Sequence, residues 1–209
     1  VRHLSYWQQQ ANDYVVLSRD ISGGSNRMGE ARTISFQLDK VYTGKLLKEV
    51  HSCFNTQIND LLLSGLIGSV HHRCGEGNIR VDLEGHGREE ILEGIDVSRT
   101  IGWFTSIYPV VFSGGSGDVP LLIKTVKETL RGVPHQGIDY LLGLYCSEGF
   151  LSSERVRSQM SFNYLGQFDS DTSGRVFTIA EEGVGDTHSM GEERLYDWEI
   201  TGMISSGCL

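Results

Sequence analysis

Six consecutive residues, EGHGRE at 84–89, combine four ionisable side chains with two glycines. They follow an alternating apolar run, so the segment begins where a strand ends. The glycines on either side of His86 let the backbone turn sharply, or let a substrate approach it closely. Partial burial beyond an apolar strand would raise the pKa of Glu84 towards that of a working acid or base, while Arg88 would either hold the carboxylate or oppose that rise. The alternative interpretation is a solvated charged turn.

Two further segments carry residues suited to a binding site. Residues 99–110, RTIGWFTSIYPV, place large aromatic side chains beside Gly102, and they predict a core strand that lines a tunnel at this glycine. In FNYLGQ, alternation puts Phe162 and Tyr164 on one face of a strand and Asn163 on the other. Because asparagine disfavours sheets, we expect Asn163 to have a hydrogen-bonding task, which is either structural or the orientation of a carboxylate or carbonyl.

The elements that must position these segments follow from the periodicity of the chain. Apolar alternation predicts strands near residues 33–38, 79–84, 100–112, 161–165 and 196–200. Helical spacing predicts helices near residues 4–10, 46–54, 58–66 and 118–130, with a break near Asn55 and a loop at 134–137. Strands interspersed with helices predict an α/β layer structure.

Composition excludes several classes of protein. The 209 residues are 39% apolar and 22% charged, which excludes a disordered chain. A net charge of −9 disfavours sequence-independent binding to nucleic acid or anionic lipid. No apolar run approaches the roughly 18 residues of a membrane span. Four dispersed cysteines without a C-x-x-C pair indicate neither a disulfide framework nor a zinc framework, so we expect a reduced, cytoplasmic setting.

Together the three motifs resemble those of the epimerization domains of nonribosomal peptide synthetases, which belong to the condensation-domain superfamily. EGHGRE and FNYLGQ match the family spelling unchanged, and RTIGWFTSIYPV differs from RTVGWFT-x-x-YPV only conservatively. NDLLL at 59–63 fits the D-x-LL helix of the family. In two places the chain departs: Asp139 stands where the P-x-x-G-x-GYG loop usually has glycine, and residues 111–113 replace the usual proline-phenylalanine-glutamate ending. The implied fold is a chloramphenicol-acetyltransferase-like two-layer sandwich lobe, a mixed sheet packed with helices.

The activity that this resemblance implies is inversion of an L-aminoacyl or peptidyl thioester carried on a phosphopantetheine arm. Such a reaction needs a proton donor or acceptor on each side of the alpha carbon, together with stabilisation of the developing enolate. In the family, a histidine of an HHxxxDG motif stands on one side and the first glutamate of EGHGRE on the other. Carried over to this chain, Glu84 is the acid/base, His86 and Arg88 support the loop, and Asn163 and Tyr164 position Glu84 or the thioester.

The resemblance also implies a substrate tunnel lined by Gly102, Trp103 and Tyr108. Neither a metal nor a bound cofactor is expected, because the thioester already acidifies the alpha carbon. The expected partners are a peptidyl carrier protein domain in the same polypeptide, the N-terminal lobe of the same domain and the thioester substrate, without nucleic acid or membrane.

We expect the chain to be the C-terminal lobe of such a domain, with an inter-lobe connection at 1–30, a lobe core at 31–209 and the N-terminal lobe absent. It starts without methionine and stops directly after a strand-like run, which indicates a piece of a longer polypeptide that is inactive alone. HHRCGEG at 71–77 is similar to the HHxxxDG motif, with glutamate in place of aspartate. It lies between the LLL helix and EGHGRE, however, so we interpret His71 and His72 as an ordinary helix C-terminus. No constellation is expected around the remaining histidines, which are His3, His51, His135 and His188.

Three alternatives stay open at this point. A condensation domain would form peptide bonds on the same fold, although EGHGRE and FNYLGQ belong to the epimerizing branch. A non-catalytic carrier-docking module is the second alternative, for which the altered loop at Asp139 leaves room. The third is a plain α/β domain.

Overall fold

The computed structural model describes residues 3–12, 14–19, 23–75, 77–89, 93–113, 117–146, 158–168, 182–183 and 185–209. The helices in these ranges are α1 Leu4–Asn12, α2 Lys40–Lys45, α3 His51–Phe54, α4 Ile58–Cys74, α5 Val119–Arg131 and α6 Ile138–Cys146. The strands are β1 Ile79–Gly85, β2 Ser106–Phe112, β3 Met160–Gln167 and β4 Trp198–Ile204. A π-helical turn, Leu46–Val50, joins α2 to α3, and 3-10 turns lie at Met28–Glu30 and Pro134–Gly137. Among the described residues, no helix has both the length and the apolar character that crossing a membrane requires.

The four strands form one mixed sheet in the order β2-β1-β3-β4. β1 pairs antiparallel with β2, whereas β1 with β3 and β3 with β4 pair in parallel. Parallel pairing brings the carboxyl ends of β1, β3 and β4 to the same edge of the sheet. The sheet packed with helices confirms the predicted α/β lobe.

One face of the sheet forms the core. Alternate residues of β1, β2 and β3 point to this face and pack against α4, α5, α6 and the Trp7 ring of α1. Its most deeply buried side chains are Trp7, Leu63, Ile67, Val81, Val110, Phe112, Val126 and Met160. Burying a side chain of this size stabilises a fold by about 1.5–3 kcal/mol, so this layer holds the strands in register.

Helix boundaries follow the signals in the sequence. Asn55 adopts the left-handed conformation (φ 50°, ψ 53°) and ends α3, which confirms the predicted break. α4 then begins with a capping box, in which the Asp60 carboxylate accepts from the Gln57 backbone N–H at 2.7 Å. Asp118 caps α5, confirming the predicted start of that helix. All four cysteines, Cys53, Cys74, Cys146 and Cys208, are free.

The predicted elements and the structure differ in several places. The predicted strand at 33–38 belongs to no sheet in the described chain, and Ile34 and Phe36 are almost fully exposed. Alternation specifies a face, but a strand also requires a partner with matching hydrogen-bonding groups. β2 begins only at Ser106, because residues 100–105 form the loop that approaches the EGHGRE turn. α6 was not predicted, since its apolar residues show no clear polar face.

Candidate active site

Glu84 and Asn163 lie side by side where the parallel pairing of β1 with β3 ends, close to the carboxyl end of β1 and in the middle of β3. The register pairs Leu83 of β1 with Phe162 of β3, so the next residue of each strand points to the opposite, polar face of the sheet. There the Asn163 Nδ2 donates to the Glu84 Oε2 at 2.7 Å. The amide therefore fixes the direction of the carboxylate near the carboxyl end of β1.

The environment of Glu84 combines solvent access with partial burial. Its side chain is exposed, yet partial desolvation raises its pKa above the ordinary value of 4.5. A carboxylate with a raised pKa, held by one hydrogen-bond donor, is a stronger base than free glutamate and is also more readily reprotonated. This arrangement suits proton transfer to and from a weakly acidic carbon.

His86 closes the turn that follows Glu84. Its Nδ1 accepts from the Arg88 backbone N–H at 3.0 Å, and its Nε2 lies 3.1 Å from the Glu89 Oε1. Because Nδ1 is an acceptor, the ring proton resides on Nε2 and is directed at Glu89. Both ring nitrogens thus have a partner within the turn.

Arg88 ties the EGHGRE turn to the RTIGWF loop. Its guanidinium donates to the backbone carbonyls of Val97 at 2.5 Å, Thr100 at 2.8 Å and Gly102 at 3.2 Å. It also stacks over the Phe104 ring, 4.3 Å from the centroid. The positively charged guanidinium of Arg88 therefore holds the loop in place by hydrogen bonds to its backbone carbonyl oxygens.

Gly87 allows the same two segments to meet. Its φ is +66°, and an added Cβ would lie 1.6 Å from the Phe104 carbonyl oxygen. Both the left-handed backbone and the contact exclude any side chain here. The glycines of EGHGRE thus serve close backbone packing.

The three residues expected to line a tunnel do not gather at one place. Gly102 is exposed and Trp103 is 91% exposed, whereas Tyr108 is only 7% exposed. Tyr108 points to the core face of β2, where it meets the Trp7 ring at 6.3 Å between centroids. Burial and the Glu89 charge raise the pKa of Tyr108 to about 12, so its hydroxyl keeps its proton near neutral pH. Core packing accounts for this side chain in the described structure.

Tyr164 also lies on the core face of its strand. It is half-buried against the core cluster, on the side of β3 opposite to Asn163. Of the two residues expected to position Glu84 or the thioester, only Asn163 shares the polar face with Glu84. The strand alternation that separates Phe162 and Tyr164 from Asn163 is as predicted.

A buried polar cluster lies on the same face of β1 as Glu84, and the sequence interpretation did not identify it. Asp82 accepts from the Ser158 hydroxyl through Oδ1, and from the Tyr196 hydroxyl through Oδ2 at 3.0 Å. Arg80 donates to the Ser158 Oγ at 3.0 Å and stacks over Tyr14, 3.7 Å from its ring centroid. This cluster could have been predicted from Arg80 and Asp82, two charged residues that alternate with apolar ones in the β1 sequence.

Two predictions about histidines have different outcomes. His71 and His72 lie in the last turn of α4, and the His71 Nε2 lies 2.8 Å from the Gly77 carbonyl oxygen, which confirms an ordinary helix C-terminus. The prediction that His3 and His135 have no constellation is wrong. The fold brings them together with Asp139, with one possible ligand atom from each within 4.8 Å of the others.

Comparison with known proteins assigns the family. A sequence model of the condensation domain matches residues 1–209. Bacitracin synthase 3 of Bacillus licheniformis is 36% identical over 206 residues, covering 98% of this chain and 3% of that protein. Tyrocidine synthase 2 of Brevibacillus parabrevis is 37% identical over 213 residues, covering 99% of this chain and 6% of that protein. The chain therefore belongs to the condensation domain family, and it spans under a tenth of the length of these synthetases.

Within that family, the chain is similar to a solved epimerization domain, that from the third module of tyrocidine synthetase B. The two share 37% identity and a TM-score of 0.87, over 99% of this chain and 47% of the solved one. The chain thus spans about half of that domain, in agreement with the predicted lobe. The X-domain from teicoplanin biosynthesis matches with a TM-score of 0.56 at 18% identity and covers 79% of this chain and 37% of its own, which shows the shared fold alone.

Proposed function

We propose that this chain is part of an epimerization domain that inverts the alpha carbon of an aminoacyl or peptidyl thioester held on a carrier protein. The observation that carries the proposal is the hydrogen bond from the Asn163 Nδ2 to the Glu84 Oε2, at the point where the parallel pairing of β1 with β3 ends. It gives the open polar face an oriented carboxylate of raised pKa. The similarity to a solved epimerization domain supports the same reaction class.

In the proposed reaction, Glu84 handles the alpha proton from one side. The proton passes from the alpha carbon to the Glu84 carboxylate, and the pair of electrons from the broken C–H bond moves towards the thioester carbonyl. A second group returns a proton to the opposite face, and the family resemblance assigns this group to a histidine on the other lobe. The reverse direction uses the same two groups with their protonation states exchanged.

The neighbouring residues have supporting roles in this proposal. Asn163 keeps the carboxylate aimed at the alpha carbon, because its amide holds one carboxylate oxygen. Arg88 and His86 hold the backbone that presents Glu84, through the contacts with the RTIGWF loop and with Glu89. None of these roles requires a metal or an organic cofactor in the proton transfer.

The proposed partners follow from the substrate. A carrier protein domain brings the thioester on its phosphopantetheine arm, and the other lobe of the domain completes the site. Condensation is the second candidate, since the family that matches the whole chain is named for peptide-bond formation. The two activities differ in their products.

The experiment uses the complete synthetase domain that carries this chain, together with an L-aminoacyl carrier protein. The products are released and separated by chiral chromatography, with and without a second aminoacyl carrier as acceptor. Accumulation of the D-aminoacyl product in the absence of acceptor supports epimerization. Dipeptide without any D-product would overturn it in favour of condensation. Carrier binding without either product would overturn it in favour of a docking module.

A further inference from the structure

We propose that His3, His135 and Asp139 bind a divalent transition-metal ion of the Zn²⁺ class. Each residue offers one ligand atom, and these atoms all lie within 4.8 Å of one another. Two imidazole nitrogens and one carboxylate oxygen form a donor set that zinc accepts in proteins. His3 precedes α1, while His135 and Asp139 flank the junction of the Pro134–Gly137 turn with α6. The proposed ion would therefore join two distant parts of the chain.

The separation between His135 and Asp139 fits shared coordination better than a hydrogen bond. The His135 Nδ1 and the Asp139 Oδ2 are 3.4 Å apart. A charge-assisted hydrogen bond between such groups is shorter, at about 2.7–2.9 Å. Two ligands bound at about 2.1 Å to a tetrahedral ion lie roughly 3.4 Å from each other. The observed separation thus corresponds to one edge of a coordination tetrahedron.

The Asp139 carboxylate supplies the second, independent observation. Its side chain is only 13% exposed, and both oxygens are buried without a hydrogen-bond donor in the described part of the chain. A buried carboxylate in this state carries a large desolvation cost unless a cation compensates for it. Each of the two imidazoles offers a nitrogen within 4.8 Å of this carboxylate.

A metal ion can be coordinated by both imidazoles, whereas an ion pair with the Asp139 carboxylate requires only one of the two histidines to be protonated. The rings of His3 and His135 meet edge to face at 5.2 Å between centroids. Two imidazolium ions at that distance would repel each other, but two neutral imidazoles can bind the same ion. Both histidines are exposed, so water can reach a fourth coordination position.

The proposed ion would restrict the movement of the Pro134–Gly137 turn, which packs next to the EGHGRE turn. Gln136 follows His135, and its carbonyl oxygen lies 3.2 Å from the position that a Cβ on Gly85 would occupy. Gly137 packs directly under the Tyr108 ring, where an added Cβ would lie 1.9 Å from the ring. Fixing this loop to the segment before α1 would thus brace the backbone next to Glu84. The site takes no part in the proton transfer and does not depend on the proposed function.

Cobalt titration of the complete synthetase domain tests the site directly. Co²⁺ replaces Zn²⁺ in such sites, and tetrahedral nitrogen and oxygen ligands give it visible absorption bands that hexaaquo cobalt lacks. The ligand variants are His3→Ala, His135→Ala and Asp139→Asn, and the matched control is His72→Ala, which removes an exposed histidine from the end of α4. Thermal unfolding of the unsubstituted domain with added Zn²⁺, and then with chelator, gives a readout that does not depend on any variant folding.

The expected result is one equivalent of Co²⁺ bound with tetrahedral bands. Each ligand variant should weaken this binding by at least the roughly 10–100-fold that loss of an outer-shell partner typically costs, while His72→Ala leaves it unchanged. Zn²⁺ should raise the unfolding temperature of the unsubstituted domain, and chelator should reverse the rise. Absence of tetrahedral bands and of any Zn²⁺-dependent stabilisation would overturn the proposal, leaving Asp139 in an ion pair with His135. Equal loss of binding in His72→Ala would also contradict it.

Discussion

Asp82 and Glu84 are carboxylates on the same strand and the same face, two residues apart, but their surroundings differ. Asp82 is buried, and both its oxygens accept from side chains, those of Ser158 and Tyr196. Glu84 is exposed and accepts from the Asn163 amide. The inner carboxylate holds neighbouring side chains of the fold together, whereas the outer one keeps access to solvent.

The difference arises from position along β1. Over its middle, the polar face of the strand is covered by Tyr14, Ser158 and Tyr196, so Arg80 and Asp82 must be paired with other groups. At the end of the strand this cover stops, and Glu84 projects beyond it. Deep burial with paired oxygens therefore marks the structural carboxylate, whereas partial desolvation and an orienting donor mark Glu84, the carboxylate that we propose as the acid/base.

The largest expected effect comes from Glu84→Gln in the complete synthetase domain. Losing a general acid/base should lower the rate of epimerization by about 10²–10⁴-fold, whereas the free energy of unfolding should change by no more than about 0.5 kcal/mol. Chiral analysis of the released product and urea denaturation measure the two quantities. The matched comparison is Asp82→Asn, for which we expect the larger loss of stability. Epimerization within tenfold of the unsubstituted rate would remove Glu84 from the mechanism.

Asp82→Ala should be the most destabilising of the changes considered. Without the carboxylate, the hydroxyls of Ser158 and Tyr196 lose their acceptor and the buried charge of Arg80 is left uncompensated, at a cost of about 3 kcal/mol in the free energy of unfolding. The urea midpoint reports this loss. A change below about 1 kcal/mol would mean that the cluster is not structural, and the contrast with Glu84 would then disappear.

Arg88→Lys should have an intermediate effect on stability and activity. A lysine keeps the charge but cannot hold the carbonyls of Val97, Thr100 and Gly102 together, so we expect a loss of about 1–2 kcal/mol in the free energy of unfolding. Arg99→Lys, at an exposed position of the same loop, is the control. Equal behaviour of the two variants would show that the guanidinium contacts do not organise the loop.

Asn163→Ala should have a smaller effect on rate and a diagnostic effect on pH dependence. The amide donates to the charged form of Glu84, so its removal should raise the pKa of that carboxyl further. A base with a higher pKa stays protonated to higher pH, and the acidic limb of the epimerization profile should therefore move upwards, with a loss of about tenfold in rate near neutral pH. Ser161→Ala, on the same face of β3, is the control. An acidic limb that stays in place, or moves to lower pH, would contradict the positioning role of Asn163.

Features that depend on residues close together in the sequence could be predicted, whereas features that depend on residues far apart in the chain could not. β1 and β3 were predictable, because their apolar alternation needs only local information. The contact between Glu84 and Asn163 was expected only as one of several tasks for the asparagine, since parallel register depends on packing across the whole sheet. Residues 33–38 alternate like a strand, but alternation does not reveal whether a partner strand exists. His3 and His135 are far apart in the chain, so only the fold could bring them together at Asp139.

The most direct test of the central claim follows the exchange of the alpha hydrogen in heavy water. The complete domain and its Glu84→Gln variant are each given the L- and the D-aminoacyl carrier separately, and deuterium incorporation is measured by mass spectrometry. If Glu84 serves one side of the alpha carbon, the variant should lose exchange from one enantiomer, retain it from the other, and cease to invert either. Exchange that persists equally from both enantiomers, or is lost equally from both, would contradict a carboxylate that works from a single side.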